Sequence, residues 1–360
     1  MKRAGIARVA LCAAMLGPAG RAPAQTAAPP PGETAGKSAG AGAAHAPVVL
    51  TPRYTPGDVL RYRVTFRSQS KSLMGGAVEN PQGAEELGIT VGLTLRLEAL
   101  PPIPTSAAGG AAGETAGAVP GAGGGGRASL RLRATYEQVS AALTGDTYDP
   151  QAKSLLAQYQ GLQGRAIEFQ LGPHGEVEYM QGLEEVLKDA RALEAAREWL
   201  RQLGTGLEAP AKGVAPGDSW ERTRAVPEAP LNGTELESKT TYLRDEPCEA
   251  EHAGGETCAV VLMRFSLGQK AGEKNATPEV FRKKGLRTSG AWTSHGESLI
   301  YVSLRTGRTV SVTQSSDEVM DLTIRHEEGG MPFRYAGRVK TETHLLLLSD
   351  GRNEGAGGGL

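Results

Sequence analysis

The sequence predicts a mainly β (α+β) protein: a large curved antiparallel sheet or half-barrel of about ten strands, with two helices packed on it. Three observations carry this. Apolar and polar residues alternate with period two in segment after segment, which marks strands buried on one face only, the habit of antiparallel sheet. Turns containing Gly or Pro separate the runs. Two segments break the alternation with helical spacing.

Taken in order, Pro56-Gly57-Asp58 opens the first strand, where Leu60, Tyr62, Val64 and Phe66 oppose Arg61, Arg63, Thr65 and Arg67. Ile89, Val91, Leu93, Leu95 and Leu97 repeat the pattern, as do Leu130, Leu132, Ala134 and Tyr136. Asp149 and Pro150 then read as a helix cap and first residue; Ala152, Leu155, Leu156 and Tyr159 form a stripe that Gly161 stops. Ile167 to Leu171, the turn Gly172 to Gly175, and Val177 with Tyr179 read as a hairpin. A longer helix runs from about Leu183 to Leu203, its stripe including Leu183, Leu187, Leu200 and Leu203, with Gly204 at its end. Pro216-Gly217-Asp218 opens another strand, and Ala259–Leu267, Leu299–Leu304, Thr309–Thr313, Val319–Arg325 and Arg338–Leu347 complete the set.

Residues 1–24 have a positive start, an apolar run from Val9 to Leu16, and Ala22-Pro23-Ala24 as a cleavage pattern, the anatomy of a secretory signal peptide. Removing it takes Lys2, Arg3, Arg8 and Arg21, moving the formal charge from −1 to −5. Such a surface argues against nucleic acid as a partner, and the chain has no apolar stretch of transmembrane length. The expected location is therefore outside the cytoplasm, periplasmic or extracellular in a bacterium. Three segments lack the apolar side chains that offset chain entropy and are expected to be disordered: the Ala/Pro/Gly linker 25–49, the insertion 101–127 and the tail 349–360. They leave a β-rich domain over residues 50–348. The two Pro-Gly-Asp openers, and the match of Phe169–Gln181 with Val302–Gln314, divide it into candidate duplicated halves, 50–181 and 211–348, with the helix 182–204 between.

Cys248 and Cys258 remain after export as an even pair, read as a disulfide joining two strands; a metal site with His252 would lack a fourth nearby ligand. Motifs for a nucleophile elbow, zinc hydrolase, phosphate loop or dinucleotide fold are absent, so no catalytic residue, metal ligand or cofactor is assigned. Ser68 to Lys71 has the Ser-x-x-Lys spacing but stands at a strand end. His326, Glu327 and Glu328 precede two glycines and read as a solvated turn, while Asp317, Glu318 and Asp321 fit no cation loop. Trp199, Trp220 and Trp292 read as core. Arg282, Lys283, Lys284 and Arg287 form a basic cluster that is either a solvated helix end or an anion or partner contact.

Tyr54 to Tyr62, containing Pro56-Gly57-Asp58, paired with Val214 to Trp220, containing Pro216-Gly217-Asp218, resembles a group of uncharacterised secreted bacterial proteins with paired strand openers. More distantly, the architecture is similar to the half-barrel of periplasmic lipoprotein carriers. One-sided strands give the sheet a single apolar face that the helices need not cover fully, so the expectation is an exported, non-enzymatic envelope protein binding an apolar ligand or lipidated partner on that face, with Leu183, Leu187, Leu200 and Leu203 as the candidate wall. The alternatives are a structural or assembly protein partnered with other envelope proteins, and a hydrolase with a dispersed site.

Overall fold

The computed structural model describes residues 46–76, 83–101, 129–145, 156–172, 177–186, 190–226, 229–248, 255–269 and 277–352. Within them eleven strands form one open antiparallel sheet. The strands are β1 (Asp58–Gly76), β2 (Glu85–Leu100), β3 (Leu130–Thr144), β4 (Ala166–Leu171), β5 (Val177–Gln181), β6 (Ser219–Ala225), β7 (Thr234–Pro247), β8 (Thr257–Gln269), β9 (Leu286–Ser303), β10 (Thr309–His326) and β11 (Phe333–Arg352). Their order across the sheet is β5-β4-β3-β2-β1-β11-β10-β9-β8-β7-β6. Two meanders, β1–β5 and β6–β11, thus meet along the β1–β11 pair, with β5 and β6 at the outer edges. Among the described residues four helical segments accompany the sheet: α1 over residues 156–160, α2 (Leu183–Val186), α3 (Ala190–Thr205) and α4 (Glu279–Arg282).

The period-two pattern decides which face is covered. In β1, Leu60, Tyr62, Val64 and Phe66 are buried while Arg61, Arg63 and Arg67 are exposed, and β2, β3 and β4 bury the same face. This inner face carries the main core, into which Leu183 of α2 and Leu200 of α3 are fully buried. A Cβ at Gly204 would collide with Leu171 Cδ1 and come within 3.2 Å of Leu132 Cδ1, so glycine there lets the end of α3 approach the sheet closely. Gly206, at φ 68°, stops the helix in the left-handed conformation, its N–H bonded to Gln202 O at 2.9 Å.

Both Pro-Gly-Asp openers fold identically. Gly57 and Gly217 have φ of 93° and 95°. Asp58 Oδ2 accepts the N–H of Thr55 at 2.7 Å, and Asp218 Oδ2 that of Ala215 at 2.8 Å. Each glycine N–H then bonds a carbonyl of the second strand in its meander, Ala99 at 2.8 Å and Tyr242 at 2.7 Å. Cys248 and Cys258 form the expected disulfide between the end of β7 and the start of β8, Cα–Cα 5.1 Å.

Several boundaries differ from the sequence expectation. The strands expected at 309–313 and 319–325 are one strand, β10, and β7 was not among the expected ten. Residues 349–352, expected as tail, complete β11. At the other terminus, residues 46–49 of the expected linker are ordered against the body: Val48 and Val214 exchange both backbone hydrogen bonds, at 2.8 and 2.9 Å. Both short ends find backbone partners that composition does not reveal, and Val48 also packs against buried side chains. The signal segment 1–24, linker residues 25–45, insertion residues 102–127, the first part of the predicted helix before 156, Leu187, His252 and residues 353–360 lie outside the described residues.

The two meanders are fastened at one end by a buried ion network. Arg308, 6 % exposed in the β9–β10 turn, pairs with Asp58 of β1 and donates from Nη1 to Asp350 Oδ1 of β11 at 2.6 Å. Its Nε donates to Arg53 O at 2.9 Å, and its guanidinium lies 5.2 Å from the centre of the Tyr54 ring. Tyr54 in turn donates to Leu203 O at 2.9 Å, tying the end of α3 to the same point. Burial pushes the Tyr54 hydroxyl above its ordinary pKa, against the influence of Arg308, so it stays a neutral donor.

Candidate functional site: a cleft on the inner face

Antiparallel pairing lines up inner-face side chains in rows that cross the strands from β11 to β6. The row next to α3 is apolar: Leu345, Val312, Ile300, Val261 and Tyr242. The next is mixed: Thr343, Gln314, Ser298, Met263, Thr240 and Trp220. Then come Thr341, Ser316, Gly296, Phe265, Ser238 and Arg222, and after them Val339, Glu318, Ser294, Leu267, Leu236 and Arg224. Two rows of the second meander therefore end on arginine at the edge strand. Between these rows and the C-terminal part of α3 lies a cleft of about 620 Å³.

The helix side of the cleft is Trp199, Leu203, Leu207 and the Arg201–Glu208 pair. The sheet side is Leu345, Val312, Ile300 and Met263, then Thr240 and Trp220, then Arg222 and Arg224 at the rim. Glu208 organises the rim: its carboxylate accepts from both Arg201 and Arg222, and Arg222 Nη2 also donates to Glu208 backbone O at 2.7 Å. Glu208 is the one non-glycine residue with positive φ, 48°, among the described residues. A carboxylate side chain held in that costly conformation beside a cleft is the pattern of a residue fixed by its surroundings. In the same row as Gln314 and Met263, the fully buried Ser298 Oγ has no hydrogen-bond partner among the described residues.

Of the expected apolar wall, Leu203 lines this cleft. Leu183 and Leu200 do not: both are fully buried in the core, because they face the main body of the sheet rather than the opening. The basic cluster lies at the far end of the strands, about 43 Å along β9 from Ile300 at 3.3 Å per residue. Lys283 pairs there with Glu279 at 3.1 Å and Arg287 with Glu327 at 3.2 Å, while Arg282 and Lys284 are exposed. The structure does not bring it to the cleft.

Strand alternation disperses the other candidates. Ser68 is buried on the inner face while Lys71 points outward and pairs with Glu86 at 2.7 Å, so the two never meet. Glu327 stands in the exposed β10–β11 turn. Asp317 and Asp321 face outward to Arg338 and Arg334, whereas Glu318 faces inward and accepts from Trp292 Nε1 at 2.8 Å. Burial pushes the Glu318 carboxyl up to about 7, with the Trp292 hydrogen bond opposing. Among the described residues no three His, Cys, Asp or Glu side chains are grouped to hold a metal ion.

Sequence reasoning missed Trp199 and Trp220 as cleft residues, and Arg222 and Arg224 as its rim. The signal was present in Ser219-Trp220-Glu221-Arg222-Thr223-Arg224, whose alternation puts a tryptophan and two arginines on one face. No helix among the described residues is long and apolar enough to cross a membrane. No family model matches the chain, and no curated protein matches it. Among solved structures it is similar, at 12 % identity and a TM-score of 0.38, to a chain described as "Lipid-protein interactions in lipovitellin". The likeness covers 85 % of this chain and 27 % of that one, so the present chain spans about a quarter of its length.

Proposed function

We propose that this is an exported, non-enzymatic protein of the cell envelope that carries an apolar ligand, a lipid or the lipid of a modified partner, in the cleft beside α3. The observation that carries the reading is the cleft itself. Its volume falls within the usual range for small-molecule sites, and its wall is mainly apolar by area with the charged groups gathered at the end of α3 and the β6 rim. Export rests on the composition of residues 1–24 and is supported by the Cys248–Cys258 bond, which suits an oxidising compartment. Native mass spectrometry of protein purified from its own envelope, followed by solvent extraction, tests the reading. A stoichiometric lipid released on denaturation is expected. Protein that carries none, and whose melting temperature no envelope lipid raises, would remove it.

A second reading, assembly with other envelope proteins, is favoured by the two sheet edges. β5 and β6 each pair on one side only among the described residues, and Tyr179 of β5 is exposed. Stable complexes recovered with lipid-free protein would favour it.

A further inference from the structure

We propose that the cleft selects a single-chain lipid with one negatively charged head, carboxylate or phosphate, and that the head sits against Arg222 and Arg224 at the β6 edge. The inference rests on reading the cleft as a ligand site, and adds the charge and shape of the ligand.

Shape comes from the geometry of the rows. The cleft crosses from β11 to β6, five strand spacings, which at about 4.8 Å each is about 24 Å. At about 30 Å³ for each non-hydrogen atom, close to the share of a water molecule in the liquid, 620 Å³ takes about 20 such atoms. One long acyl chain with its head meets both figures. A two-chain phospholipid has more than twice as many atoms and would leave one chain in water.

Charge comes from the distribution of side chains along that length. The β11, β10 and β9 end offers Leu345, Val312 and Ile300 with the uncharged Thr309, Gln314 and Thr343, whereas the β6 end offers Arg222 and Arg224 on the same face. Arg201 also lines the cleft, and Glu208 is the one carboxylate among its described lining residues, so the formal sum there is positive. Glu208 already accepts from Arg201 and Arg222, so its charge is opposed within the protein. An anion at the rim would gain charge-assisted hydrogen bonds from planar guanidinium groups. Inward-pointing charges on an edge strand also guard against edge-to-edge aggregation, and the experiment separates the two roles.

Trp199 and Trp220 line the cleft, so quenching of tryptophan fluorescence reports occupancy of the mature protein. The probes share one sixteen-carbon chain and differ in the head: hexadecanoate, hexadecyl phosphate, hexadecanol and hexadecyltrimethylammonium. The anionic probes are expected to bind roughly tenfold or more tighter than the alcohol, the scale of a hydrogen bond to a charged group. Arg222→Gln with Arg224→Gln should close that gap by weakening the anionic probes far more than hexadecanol; the matching lysine pair should keep most of it. The Arg222 side chain is half exposed, so raising the salt should also narrow the gap in the wild type. That arm decides the matter if the glutamine variant aggregates. Equal affinity for alcohol and carboxylate, preference for the cationic head, a gap untouched by both salt and variant, or one unmoved by salt where the variant aggregates, would overturn the charge assignment and leave the carrier reading standing. Failure of every probe to bind would overturn both.

Discussion

Glu318 and its neighbours show how a strand takes apart a charge cluster that looks continuous in sequence. Asp317 faces outward, with Arg338 Nε donating to its Oδ1 at 2.7 Å, and Asp321 faces outward to Arg334, which holds its carboxyl below the ordinary carboxylate range. Glu318, between them, is 6 % exposed on the other face with Trp292 as its donor. Its pKa of about 7 in the fold lies above the ordinary 4.5, so the native state holds this proton more tightly than the unfolded chain does. The carboxyl therefore costs nothing below about pH 4.5, and stability is lost as pH rises through 7, on the order of 3 kcal/mol once it is fully ionised. Glu318→Gln keeps an acceptor for Trp292 but cannot ionise. Thermal unfolding between pH 4.5 and 8.5 should show the wild type losing stability with rising pH while the variant loses less. Parallel profiles would mean that Glu318 does not set the slope. Asp321 was legible from alternation alone; Glu318 was not, because two adjacent acids, both buried, give no sign of which one takes the inner face.

At the scale of elements, α3 has two jobs on one stripe. Leu200 lies in the closed core and Leu203, less than one turn later, lies at the cleft. Leu200→Ala is expected to cost about 2–5 kcal/mol, the range for a buried leucine truncated in a packed interior. Leu203→Ala should cost less than about 2 kcal/mol, since its wall is already open on one side, yet it should weaken binding of a hydrophobic probe more than Leu200→Ala does. Urea unfolding and probe titration of the two variants check this, and equal penalties would place Leu203 in the core as well. The strands with an apolar inner face were legible: Leu60 to Phe66 and Ile89 to Leu97 announce themselves. The middle of β9 and β10, and all of β7, did not, because Ser294, Gly296, Ser298, Gln314, Ser316, Ser238 and Thr240 occupy the inner face there. Apolar periodicity fails where the inner face turns polar, and those rows lead to the cleft floor and rim. The weak strand signal and the candidate site thus share one physical cause.

Over the whole molecule, two meanders become one sheet only through the β1–β11 seam, which pairs Asp58 through Gly76 with Arg352 through Phe333. Hydrogen bonds hold its length, but its end is decided by Arg308, Asp58 and Asp350, contributed by three places far apart in the chain. Composition could not locate this lock, since Asp350 stands among Ser349, Gly351 and Arg352, a stretch that by itself reads as tail. Two truncations separate the pairing from the tail. Ending the chain after Arg352 removes no paired residue of β11, and its stability should match the full chain within about 0.5 kcal/mol, as for changes away from buried features. Ending it after Leu348 removes Asp350 and leaves the buried Arg308 with Asp58 as its remaining carboxylate in the network. A half-satisfied buried charge is costly, and the loss should be on the order of 3 kcal/mol. The Leu348 truncation should also loosen the β9–β10 turn and Tyr54, which share that guanidinium, so hydrogen exchange should rise at Arg53, Gly307 and Arg308 together. Denaturant unfolding and exchange on the two truncated proteins test this. Equal stability of the two would mean that hydrogen bonding along β1 and β11 holds the meanders together without the ion network.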